Sequence, residues 1–106
     1  MADIPQQDLL ESLKRKDAPV VVDVRSGMEY NAGHIQGALH IPFFSVLWRK
    51  RKLPADKRHP IVLTCEHGPR AGIAKFLLSL SGYRNVRHLE GHMSAWKNNN
   101  MPTVSS

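Results

Sequence analysis

At 106 residues with 42% hydrophobic content, the chain is long enough to bury one core and too short for two domains of ordinary size. A single cysteine excludes an internal disulfide framework and fits a reducing compartment, and no apolar run approaches the ~20 residues of a membrane-spanning helix. The net charge of +6 is local, because Arg49, Lys50, Arg51, Lys52, Lys57 and Arg58 against Asp56 account for +5 of it.

The amino terminus, Met1 to Gln7, has no basic segment followed by an apolar core, so no signal peptide is expected and the cytoplasm is the expected location. Leu9, Leu10 and Leu13 share one face of a predicted helix, with Lys14, Arg15 and Lys16 at its carboxyl end, where cations suit the helix dipole. Ala18-Pro19 stops it. Val20 to Val24 reads as a strand covered on both faces, since its apolar residues run on without alternation, and Asp23 and Arg25 mark its end.

Ser26 followed by Glu29 predicts a capping box at the start of a short helix through Tyr30. The glycines of Gly33-His34-Ile35-Gln36-Gly37-Ala38 predict a tight turn, and Leu39 to Pro42 a short strand. Phe43 to Trp48 is apolar at helical spacing and is expected to cover the sheet. The basic connection follows. It offers a surface for an anionic donor, while the absence of interleaved aromatic residues argues against nucleic acid.

Pro60 to Gly72, P-I-V-L-T-C-E-H-G-P-R-A-G, predicts a strand, a loop and a helix in that order. Ligands in open α/β sheets sit beyond the carboxyl ends of strands, so Cys65 at that position is expected to be offered to solvent. A tight turn entering a helix turns its amide groups towards a common point and favours an anion there, and thiolates at helix N-termini are the reactive ones. Ala71, Ala74, Leu77, Leu78 and Leu80 predict an amphipathic helix ended by Gly82. Val86 to Leu89 reads as the last strand, Glu90 to Trp96 opens a final helix, and residues 101–106 are expected to fray.

The order D-V-R (Asp23 to Arg25), E-Y (Glu29-Tyr30), G-H-I-x-G-A (Gly33 to Ala38) and I-P (Ile41-Pro42), then C-x-x-G-x-R-A from Cys65, A-x-x-L-L from Ala74 and Gly82-Tyr83, resembles a single-domain rhodanese over nearly the whole chain. The resemblance implies an α/β fold, with a small, mainly parallel sheet flanked by helices on both faces and residues 1–106 forming one domain. It implies sulfur transfer through a Cys65 persulfide from thiosulfate or a similar donor to cyanide, a small thiol or a protein thiol, with no cofactor. By the same resemblance Glu66, His67, Gly68, Pro69, Arg70 and Ala71 form the loop that binds substrate and persulfide; Pro69 has no amide proton to give.

Arg70 has two readings: its fork holds the oxyanion end of the donor, or it pairs with Asp23 or Glu29 and braces the loop. Asp23 and Arg25 are read as structural support and His34 as a turn residue that packs or hydrogen-bonds. Glu66, which would disfavour a neighbouring thiolate if it faced inwards, is expected to face water. The six histidines, His34, His40, His59, His67, His88 and His92, show no Cys-x-x-Cys or His-x-x-x-His spacing, so no metal is expected. One departure stands out: Gly91-His92 replaces the pair of glycines common before the last rhodanese helix.

Two other functions share some of these features. Cysteine phosphatases and arsenate reductases use a thiolate in a C-x5-R loop, but the loop here is C-x4-R, one residue shorter and better matched to a sulfur atom than to a phosphate. A rhodanese module can also serve as a sensor or docking domain without turnover, against which the retained Cys65 argues.

Overall fold

The structure, a computed structural model, describes residues 3–48 and 52–105. Arg49, Lys50 and Arg51 of the basic connection lie outside the described residues, as do Met1, Ala2 and Ser106. In chain order the elements are α1 (Gln6–Ser12), β1 (Val20–Asp23), α2 (Gly27–Ala32), β2 (Leu39–His40), a 3-10 turn (Phe43–Ser45), β3 (Ile61–Thr64), α3 (Pro69–Leu80), β4 (Val86–His88) and α4 (His92–Asn98). The described strands form one sheet in the order β2-β1-β3-β4, every pair parallel. Ile4 adds to its edge beside Leu89.

Side-chain parity divides the sheet into two cores, as it must when successive residues point to opposite faces. Val22, Val24, Ile61, Leu63 and Cys65 pack with Ala71, Ala74 and Leu78 of α3. Val21 and Val62 face the other way, onto Leu9 of α1 and Met93 and Trp96 of α4. Both faces are therefore covered, which is why β1 and β3 contain no polar alternation until Asp23 and Thr64.

Local chemistry sets the shorter elements. Ser26 and Glu29 make the expected capping box on α2. Pro69 starts α3 at a position where its missing N–H costs nothing. Three expectations need correction. Residues 43–48 cover the sheet only in part: Val46 is buried, but Phe44 and Trp48 are 62% and 74% exposed. Leu80 lies on the outer face of α3 with Ile73 and Phe76, all exposed; the core-facing stripe is Ala71, Ala74 and Leu78. The tail is held rather than frayed, because His34 and Val104 exchange backbone hydrogen bonds of 2.9 and 2.8 Å and Trp96 Nε1 donates to the Pro102 carbonyl at 2.9 Å.

Candidate active site

Cys65 follows β3 directly and Gly68 precedes α3, so the sheet's carboxyl edge and the first turn of a 12-residue helix meet around one sulfur atom. The Gly68 amide donates to Cys65 Sγ at 2.8 Å. Gly68 has φ +122°, a backbone conformation open to glycine and strained for other residues, and this lets the chain reverse within three residues and bring that amide back over the sulfur. Of the loop amides expected to converge there, Gly68 is the one the structure places on Sγ.

The expectation of an exposed thiol is overturned. Cys65 has no accessible surface and belongs to the core beneath α3. The reason is parity: two residues beyond Leu63, its side chain points to the α3 face, although its backbone has already left the strand. The loop above it is mixed, with His67 and Pro69 exposed and Ala71 buried.

The carbonyls of Cys65 and Glu66 are taken by α4. Met93 N–H donates to the Cys65 carbonyl at 2.9 Å and Ser94 N–H to that of Glu66 at 3.1 Å. The Cys65 amide is itself bonded, donating to His92 Nδ1 at 3.2 Å.

Two ion networks lash the loop to the rest of the molecule. Arg70 reaches Glu29 of α2 with both ends of its guanidinium, at 2.6 and 3.0 Å, and this hydrogen-bonded pairing, with further help from Ser26, holds the Glu29 carboxyl down at about 2. Of the contacts the second reading expects of Arg70, the structure contains the one with Glu29. The second network is buried at its Arg25–Asp23 centre. Arg25, 1% exposed, donates to both carboxylate oxygens of Asp23, to the Gly33 carbonyl at 2.6 Å and to Glu66 at 3.2 Å. Glu66 therefore does not face water as expected: Arg25 takes one of its oxygens and Lys97 lies 3.0 Å from the other, which ties its charge up beside the loop.

His34 stands apart from this cluster in its contacts. Its ring stacks on Tyr30 at 3.7 Å and its Nδ1 lies 2.8 Å from the Tyr30 carbonyl. The described part of the basic connection is also remote. Lys57 bonds the Ser81 carbonyl at the far end of α3 and Lys52 sits near Val20 and Leu39, so both lie at the amino ends of the strands, with the length of β3 between them and Cys65. Across ~13 Å of strand salt screens most of an exposed charge, and donor steering from these residues falls away.

Sequence reasoning did not anticipate Lys97 as a partner of Glu66, nor the α4 amides as holders of the loop carbonyls. His92 had a signal, as the departure noted from the glycine pair that the rhodanese resemblance implies.

The family model described as a rhodanese-like domain matches residues 6–99. The chain belongs to the rhodanese family. The thiosulfate sulfurtransferase GlpE of Pseudomonas putida is 35% identical over 94 residues, covering 89% of this chain and 83% of that protein. An uncharacterized protein of Synechocystis is 34% identical over 97 residues, covering 92% of this chain, but the chain spans only 53% of it. Among solved structures, a rhodanese-related protein from Thermoplasma volcanium superposes with a TM-score of 0.84 at 29% identity, covering 100% of both chains. The Alr3790 protein of Anabaena gives 0.86 at 28% identity, over 97% of this chain and 82% of that one. This rhodanese fold accordingly has its cysteine loop between β3 and α3, and no helix among its described residues is long and apolar enough to cross a membrane.

Proposed function

We propose that this rhodanese is a sulfurtransferase that carries sulfane sulfur on Cys65. The observation that carries the reading is the Gly68 amide aimed at Cys65 Sγ from the mouth of α3, which sets the positive end of an N–H dipole where the thiolate bears its charge before sulfur is taken up and after it is passed on. The likeness to a protein named thiosulfate sulfurtransferase supports thiosulfate as donor.

In the first half-reaction the Cys65 thiolate attacks the outer sulfur of thiosulfate. A new sulfur–sulfur bond forms, the old one breaks, and its electron pair leaves with sulfite. In the second, a thiol or cyanide attacks the terminal sulfur of the persulfide, and the pair of the breaking bond returns to Cys65. Asp23 and Arg25 support the loop through Glu66, and Glu29 supports it through Arg70. Because Cys65 is covered in the resting loop, the donor is admitted by movement of the loop, whose exposed members His67 and Pro69 have the least packing to lose. His34 supports the turn after α2 and takes no part in the chemistry. One domain suffices for both steps, and a reducing cytoplasm keeps the lone thiol available and supplies the thiol acceptor, small or on a protein.

The C-x4-R loop, with its arginine turned onto Glu29, favours sulfur over phosphate. The test is thiocyanate production from thiosulfate and cyanide, run beside hydrolysis of an aryl phosphate. Turnover of thiosulfate that disappears in Cys65→Ser supports the proposal; hydrolysis of the phosphate without thiocyanate overturns it.

A further inference from the structure

His92 opens α4 with a backbone that glycine adopts more readily than other residues. Its φ is 54°, in the left-handed region that residues with a Cβ seldom enter. Gly91 beside it has no alternative, since a Cβ there would collide with Ala95. No such collision dictates the residue at 92, so the histidine has to be explained by what its ring touches.

His92 is 6% exposed, and its ring reaches from the start of α4 to the cysteine loop. Nδ1 accepts the Cys65 amide at 3.2 Å. The Nε2 edge lies against Gly68, where an added Cβ would stand 3.4 Å from it. One imidazole thus contacts the backbone of the residue that carries the sulfur and the residue whose amide holds that sulfur. A glycine at 92 would leave this space empty and strip a buried N–H of its acceptor.

We propose that His92 is a positioning residue for sulfur transfer: its neutral ring latches the Cys65 backbone to α4 and sets the sulfur under the Gly68 amide. The inference rests on the sulfurtransferase reading above. Accepting from Cys65 requires the lone pair of Nδ1, so the ring proton sits on Nε2. A second proton would set one N–H against another and release the latch.

The groups facing the ring decide when that happens. Burial and His88 of β4, with ring centroids 5.3 Å apart, push the His92 pKa below its ordinary value, His67 of the loop adds to this, and Asp3 of the amino-terminal segment opposes it. His88 is itself held low by burial and by Lys75 of α3. The latch is therefore closed at neutral pH and opens only in acid.

The test uses the full chain, labelled with nitrogen-15, and two variants. His92→Asn offers a carboxamide oxygen in place of Nδ1, tolerates the left-handed backbone and does not titrate; His92→Gly relaxes the backbone and removes the acceptor. In the wild type the Cys65 amide resonance should shift with the same acid midpoint as the His92 ring. In His92→Asn that shift should vanish while sulfur uptake from thiosulfate is rescued relative to His92→Gly. In His92→Gly the Cys65 amide should exchange faster with solvent and sulfur uptake should slow at least about tenfold. A Cys65 amide indifferent to His92 titration, or a glycine variant matching the wild type in amide exchange and sulfur uptake, overturns the latch. If the wild type takes no sulfur yet its Cys65 amide follows the His92 ring, the latch stands and the sulfurtransferase reading falls.

Discussion

Arg70 of α3 and Glu29 of α2, 41 residues apart in sequence, form a two-pronged ion pair with contacts of 2.6 and 3.0 Å. Glu29 also closes the capping box on Ser26, so one carboxylate fixes both the start of α2 and the arginine of the cysteine loop. Under the proposed sulfur transfer, an arginine held in this way acts through the loop it steadies.

The brace makes a quantitative prediction. Arg70→Ala and Glu29→Ala should slow sulfur uptake by similar factors, and the double variant should be little worse than either. Because both side chains are about a third exposed, their coupling should be modest, about 0.5 to 1 kcal/mol. A double-mutant cycle on the uptake rate measures it. A loss in Arg70→Ala far beyond that of Glu29→Ala would show instead that the guanidinium touches the donor.

Arg25 should be costly to remove for a different reason. Its partner Asp23 is fully buried, so Arg25→Ala leaves a buried carboxylate without its counter-charge, at a cost of about 3 to 5 kcal/mol. Urea denaturation should show the midpoint falling accordingly, with Glu66 released from the loop at the same time. A loss below about 1 kcal/mol, the range of surface pairs, would mean that Asp23 finds another partner.

Acid should weaken the fold in two stages. His88 and His92 protonate below their ordinary value of 6.5 when folded, whereas the unfolded chain takes up those protons near that value, so stability declines as pH drops from there towards the folded values. Glu29 has the depressed carboxylate case: its contribution is complete above 4.5 and disappears as pH falls towards about 2. Urea midpoints measured across this range should show both declines, and Glu29→Gln should abolish the lower one alone. A lower decline that persists in Glu29→Gln would assign it to another carboxylate.

The carboxyl-terminal residues should contribute to stability. Val104 N–H donates to the His34 carbonyl at 2.8 Å, and Val104→Pro deletes that donor. The expected cost is about 1 kcal/mol, with faster hydrogen exchange at the His34 amide. Unchanged stability and exchange would be the behaviour of a free tail.

The order of elements could be read from the chain because each has a local cause: unbroken apolar runs in β1 and β3, the Ser26 capping box, Pro69 opening α3. The position of Cys65 between strand and helix was legible for the same reason. Its burial was not, because the end of a strand says where the backbone emerges while parity with Leu63 says where the side chain goes, and the two disagree here. The pairings of Arg70 with Glu29 and Arg25 with Glu66 each bridge 41 residues and exist only once α2 and the cysteine loop have packed on the sheet. Glu66 looked like a solvent-facing charge because nothing near it in sequence is a cation other than Arg70, and that cation is engaged elsewhere.

The most direct test of sulfur transfer is the intact mass of the protein after incubation with a slight excess of thiosulfate, with released sulfite measured in the same sample. The wild type should gain one sulfur atom for each sulfite released, lose it again to cyanide or a thiol, and show no gain in Cys65→Ser. A wild-type mass that stays unchanged, or a sulfur atom retained by the serine variant, would contradict a persulfide on Cys65.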